Sequence, residues 1–156
     1  MSNALQSLRV LHNNPFIMAP IFPAFFKTLG EKRNGMVLAY LVLPLVLPPA
    51  SRKFLTNAKS TSSIMTLAGK PGERDRLFGI EERIKEYKAI TNVTLQYLVD
   101  NQMLAITGYS SAQPLSSIQD SPLCPRNAVK SSTRLGMLFA PFDVPTIYRT
   151  LGIKNL

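Results

Sequence analysis

Large apolar side chains are densest between Met36 and Leu47, MVLAYLVLPLVL, where only Ala39 and Pro44 interrupt them. No face of that segment would prefer water, so it must be covered on every side. At roughly 1.5 to 3 kcal/mol per buried side chain, its gross burial is on the order of 15 to 30 kcal/mol. As a helix the run to Ala50 would be about 22 Å long, against roughly 30 Å of bilayer hydrocarbon. Pro44 also deletes a backbone donor that lipid could not replace. The pattern predicts a buried, proline-kinked core helix, stopped by Pro48 and Pro49, with ASRKFLTN adding one further turn that exposes Arg52 and Lys53.

Elements to enclose that helix can be read on both sides of it. Asn14 before Pro15 is a helix start, since Asn caps orphan amides and Pro is pre-shaped for the first helical position. Pro20 and Pro23 break the pattern of Phe16, Ile17, Ile21, Phe25 and Phe26, so a helix recovering near Ala24 and ending by Gly30 is expected. Ser60 to Ser63 offers caps for a short helix over Ile64, Met65 and Leu67, closed at Gly69, and Pro71 and Gly72 extend the loop. Glu73 to Ala89 reads as an amphipathic helix through Leu77, Ile80, Ile84 and Tyr87, and Thr91 to Gln102 as a second one.

Then the period changes. Residues 103–118 read as a hairpin, with Leu104 and Ile106 on one strand, a turn from Gly108 to Gln113, and a second strand at Leu115 to Ile118. Asp120 to Asn127, with Pro122 and Pro125, is a connector. Residues 129–153 hold the closing helices: Val129 to Phe142, ended near Pro141, then a helix capped by Asp143 and stopped by Gly152. Apolar residues so close to the end imply a tail that docks. The expected architecture is mainly α (α+β): one domain over residues 1–156, helical around a buried proline-containing helix, with a small β-hairpin that is either winged-helix-like or an ordinary hairpin covering a helical core.

A chain of 156 residues with 46 % hydrophobic content and 12 prolines has the composition of a folded domain with a core of its own. Its net charge of +9 is unevenly placed. Lys27, Lys32, Arg33, Arg52, Lys53 and Lys59 face only Glu31, whereas acids and bases cancel between Lys70 and Asp100. The end is basic again through Arg126, Lys130, Arg134, Arg149 and Lys154. Such a field favours acidic partners, either nucleic acid or an acidic protein face.

Chemistry is harder to find. Cys124 has no second cysteine to pair with, and with His12 it cannot complete a four-ligand zinc site. There is no GxGxxG and no phosphate-cradling glycine loop with its Lys, and the serines have only His12 as a distant imidazole partner. The carboxylates of the 73–89 helix read as a solvated face. A non-enzyme without cofactor or metal is expected, and the start, with no signal-peptide apolar region, points to a cytoplasmic protein.

Four segments carry a family resemblance: NNPF at Asn13 to Phe16, NGMVLAYLVLPLVLPPASRKFL at Asn34 to Leu55, STSSI at Ser60 to Ile64, and TRLGMLFAPFDVPTIYRTLGI at Thr133 to Ile153. Together they make residues 13–153 resemble the middle component of three-component ABC-ATPase systems, the group that includes the small subunit of Lamassu-type anti-phage defence. Pro20 and Pro23 depart from that pattern, as do Pro48 and Pro49, where such proteins commonly have His or Lys. The resemblance implies a non-catalytic adaptor between an SMC-like ABC ATPase, which senses DNA, and an effector such as a nuclease.

On that reading Arg52, Lys53, Lys59, Arg134 and Arg149 are the candidate contacts to a partner or to DNA, which the protein would meet through the complex. Two other readings compete. A stand-alone winged-helix DNA-binding regulator would use Thr91 to Gln102 for recognition, but that helix has no Arg or Lys to hold phosphates. A peripheral membrane protein would insert the core stretch.

Overall fold

The computed structural model describes residue 4 and residues 14–59, 61–69, 74–116 and 123–154, with residues 74 and 75 described by their backbone. Asn14 caps the helix that follows it, its Oδ1 accepting from the Phe16 N–H at 2.9 Å, and Pro15 opens this helix, α1 (Pro15–Met18). After a break at Ala19 and Pro20, α2 (Ile21–Leu29) runs to Gly30, whose φ of 72° turns the chain away. The helix recovers earlier than the expected Ala24. Pro23 falls in its first turn, where a missing N–H costs no helical bond.

A 3₁₀ turn (Gly35–Leu38) feeds α3 (Ala39–Val46), which carries Pro44 inside it. Beyond Leu47 the chain bends by 104° into α4 (Pro49–Thr56), two full turns where one was expected. Leu38, Ala39 and every residue from Leu41 to Leu47 are buried while Met36, Val37 and Tyr40 are half-buried, so protein encloses most of the apolar run but not its first turn on every side. Among the described residues no single helix is long and apolar enough to cross a membrane.

Ser63 and Thr66 form a reciprocal capping box at the start of α5 (Ile64–Ala68), and Gly69 closes it at φ 77°. Several residues given roles in the sequence reading lie outside the described ones: His12, Asn13, Ser60, Pro71, Gly72, Glu73, Ile118, Asp120 and Pro122. A second 3₁₀ turn (Arg74–Leu77) and Gly79 at φ 69° precede α6 (Ile80–Asp100). The two helices expected here are one helix of 21 residues. Nothing between Ala89 and Thr91 breaks a helix, and Ile90, Thr91 and Thr94 continue the buried stripe from Ile84 to Leu95.

Strands β1 (Leu104–Ile106) and β2 (Ala112–Pro114) pair antiparallel, with Ala105 opposite Gln113. The second strand begins at Ala112, not Leu115, because the turn is tighter than its polar sequence suggests. Ser110 takes φ 54°, and Ser111, wholly buried, accepts the Lys32 N–H on its Oγ at 3.1 Å. The loop is further tied down by bonds from the Asn34 N–H to the Tyr109 carbonyl and from the Met36 N–H to the Ser110 carbonyl.

Helix α7 (Ala128–Phe139) packs most extensively on α2 and also covers α4, while α6 covers α3 and α1. Asp143 caps α8 (Val144–Thr150) by accepting from the Thr146 N–H at 2.9 Å. The expected docking of the tail is seen in buried Leu151 and Ile153, and in the Lys154 N–H donating to Glu81 Oε1 at 2.8 Å. The result is a mainly helical fold with one two-stranded sheet among the described residues.

Candidate functional site

Prolines create a shortage of donors at the centre of this fold, and cationic side chains fill it. In a helix the Pro44 carbonyl would accept from the N–H of residue 48, which is proline and has none. Arg83, on α6, donates from Nη1 to the Pro44 oxygen at 2.9 Å and from Nη2 to the carbonyls of Arg76 at 3.0 Å and Phe78 at 3.1 Å. Burial lowers the pKa of its guanidinium, with Tyr87 acting in the opposite direction. Arg52 does the same for the end of the apolar run, donating from Nη1 to the Leu47 carbonyl at 2.7 Å.

Lys32 plays a third such part. Its Nζ donates to the Ala140 carbonyl at 3.0 Å and to that of Phe142, capping the C-terminal end of α7 where a positive charge is favoured. Burial lowers its pKa, and the nearby Asp143 carboxylate raises it. Tyr148 completes the set by donating its hydroxyl to the Val37 carbonyl at 2.8 Å, and burial pushes that phenol well above its ordinary pKa. Neither Lys32 nor Arg83 was singled out by sequence, because a count of charges cannot tell a cation in water from one spent on a carbonyl. The readable signal is the Pro44 to Pro48 spacing, which orphans an acceptor.

The five candidate contact residues are spread over three helices. Arg52, half-buried, and exposed Lys53 lie on α4, and exposed Lys59 follows it. Half-buried Arg134 is on α7, which meets α4 through a contact of Ser131 Oγ with Thr56 Oγ1 at 3.0 Å and a bond to the Arg52 carbonyl at 3.3 Å. Exposed Arg149 sits apart on α8, which packs on α5. Thus α4 and α7 bring four of the five onto adjoining segments, and Arg149 does not join them.

Depressions in the surface are also lined by described residues. A groove of about 830 Å³ runs between one side of α2 and its flanks, including Pro20, Pro23, Lys27 and Glu31, and the β2 residues Ala112 to Pro114. A hollow of about 510 Å³ lies beside α4, lined by Ala50, Lys53, Phe54, Asn57, Ala58, Ser62 and Arg76. There the Arg76 guanidinium carbon stands 4.3 Å from the centre of the Phe54 ring, a cation on an aromatic face. Elsewhere exposed apolar side chains lie on several elements, among them Phe16, Val93, Tyr109 and Met137, and Phe16 packs edge-on against Tyr97 at 4.9 Å. Among the described residues no group of three or more His, Cys, Asp or Glu side chains is placed to hold a metal ion.

Compared with known proteins, residues 2–155 match a family model described as ABC-three component (ABC-3C) system Middle Component 3. No curated protein and no solved structure matches the chain.

Proposed function

Because the chain belongs to the Middle Component 3 family of ABC-three component systems, we propose that it is a non-enzymatic adaptor in an anti-phage defence complex of Lamassu type. In this role it holds an SMC-like ABC ATPase that senses DNA and an effector such as a nuclease in one cytoplasmic assembly. Membership of a multi-component system implies partner subunits, and the surface chemistry fits a protein built to be gripped.

The observation that carries the reading is how the polar side chains are used. Arg52, Lys32 and Arg83 each donate to backbone carbonyls, which ties the segments around the core together. Lys53, Lys59 and Arg149 face outward, as do Phe16, Val93, Tyr109 and Met137. A mixed cationic and apolar exterior on such a core is what docking onto larger subunits needs.

Co-expression with the other two subunits of its own system, followed by size-exclusion chromatography, tests the proposal. The expected result is a stable complex containing all three, from which omission of this chain releases the effector. Elution of the protein as a free monomer beside an intact ATPase and effector complex would count decisively against it. Tight, steeply salt-dependent binding of the isolated protein to duplex DNA would instead favour a regulator that works alone.

A further inference from the structure

We propose that the hollow beside α4 is the seat of an acidic segment from a partner subunit, with a carboxylate on Lys53 and an apolar side chain against Phe54. This rests on the adaptor reading and supplies the chemistry of one of its contacts. The hollow combines an apolar floor, from Ala50, Phe54 and Ala58, with a cationic and amide rim. Lys53, on the last turn of α4, and Asn57, which caps its end, are both exposed and four residues apart, so they present an ammonium and an amide side by side to the same ligand. Lys59 extends the positive edge past the helix end.

Charge complementarity selects the occupant. Among the described residues lining the hollow none is acidic, and the whole chain carries +9. An incoming carboxylate therefore meets attraction both at the rim and from the surrounding field. The floor argues for protein over nucleic acid. Phosphate backbones are gripped by rows of cations along a stripe, whereas here an exposed lysine stands beside an open, mainly apolar hollow in which Arg76 lies over the Phe54 ring.

The test uses the full chain with the other two subunits of its system. Lys53→Glu reverses the charge at an exposed position, and Lys53→Arg keeps it. Affinity is read by interferometry at low and high salt, with melting temperature as the check on folding. Lys53→Glu should weaken assembly by roughly tenfold or more and flatten its salt dependence, while Lys53→Arg stays within about twofold of the parent. Parent-like assembly of Lys53→Glu would overturn the proposal while leaving the adaptor role intact. So would a loss confined to duplex DNA binding. Failure of the parent chain itself to assemble would remove the adaptor reading and this inference together.

Discussion

Two regions of this protein solve the same problem by opposite means. At the α2–α7 crossing buried hydroxyls need acceptors, and at the α3–α4 joint buried carbonyls need donors, so each must pair polar groups inside an apolar core. At the crossing the helices come so close that short hydroxyls suffice. Thr28 Oγ1 donates to the Thr133 carbonyl at 2.7 Å, and Ser132 Oγ donates to the Ile21 carbonyl at 2.6 Å. At the joint the prolines hold the chain open and remove its own donors, so long guanidinium arms from Arg83 and Arg52 must reach in. Closeness demands small residues, and missing donors demand long ones.

The comparison breaks most severely at Gly136. A β-carbon there would run into Thr28 Oγ1 and the Phe25 carbonyl, and would stand 3.0 Å from the Leu29 nitrogen. Two of those three atoms are backbone, so a side chain cannot simply swing aside. Gly136→Ala should cost about 3 kcal/mol or more, lowering the melting temperature by on the order of 10 °C. A melting curve within about 2 °C of the parent would mean that the crossing is looser than its geometry.

Arg83 tests the other region, with a smaller expected effect. Arg83→Met keeps most of the stem but leaves the buried Pro44 carbonyl without a donor, for a loss of about 2 to 3 kcal/mol by denaturant titration. Arg83→Lys should fall between, since one ammonium cannot span the three carbonyls that a planar guanidinium serves. If methionine and arginine gave equal stability, the carbonyl shortage at the joint would have another remedy.

How much of this was legible follows the same division. Features set by neighbours in sequence could be read directly: the enclosed apolar run, the caps at Asn14 and Asp143, and the stops at Gly30, Gly69 and Gly152. Features set by distant segments could not. Gly136 appears in the sequence only as part of RLG, yet its reason lies on α2. Arg52 reads as an exposed cation, but its guanidinium faces back onto Leu47. The strand at Ala112 was missed because Ser111 reads as a surface turn residue while its hydroxyl is an interior acceptor for Lys32. In each case a polar or small residue was assigned to water when a backbone group in the core had claimed it. Of the candidate contact surface, sequence supplied the charges on α4 but not the hollow, because Phe54 and Arg76 meet only through packing.

The mildest test uses two threonines one turn apart on α6, both wholly buried. Thr94 donates its hydroxyl to the Ile90 carbonyl at 2.7 Å, whereas Thr91 Oγ1 has no hydrogen-bond partner among the described residues. Valine has nearly the shape of threonine, so replacement changes the polar bookkeeping and little else. At Thr91 the substitution removes a buried hydroxyl that is unpaired among the described residues, and should raise stability by up to about 1 kcal/mol. At Thr94 it removes a formed bond and should leave stability unchanged or lower it by a similar amount. The sign difference matters more than either size, because both changes add the same methyl to the same helix face. Were the two variants to shift the denaturation midpoint in the same direction, donor supply would not be what distinguishes buried hydroxyls in this core, and the contrast between crossing and joint would lose its physical basis.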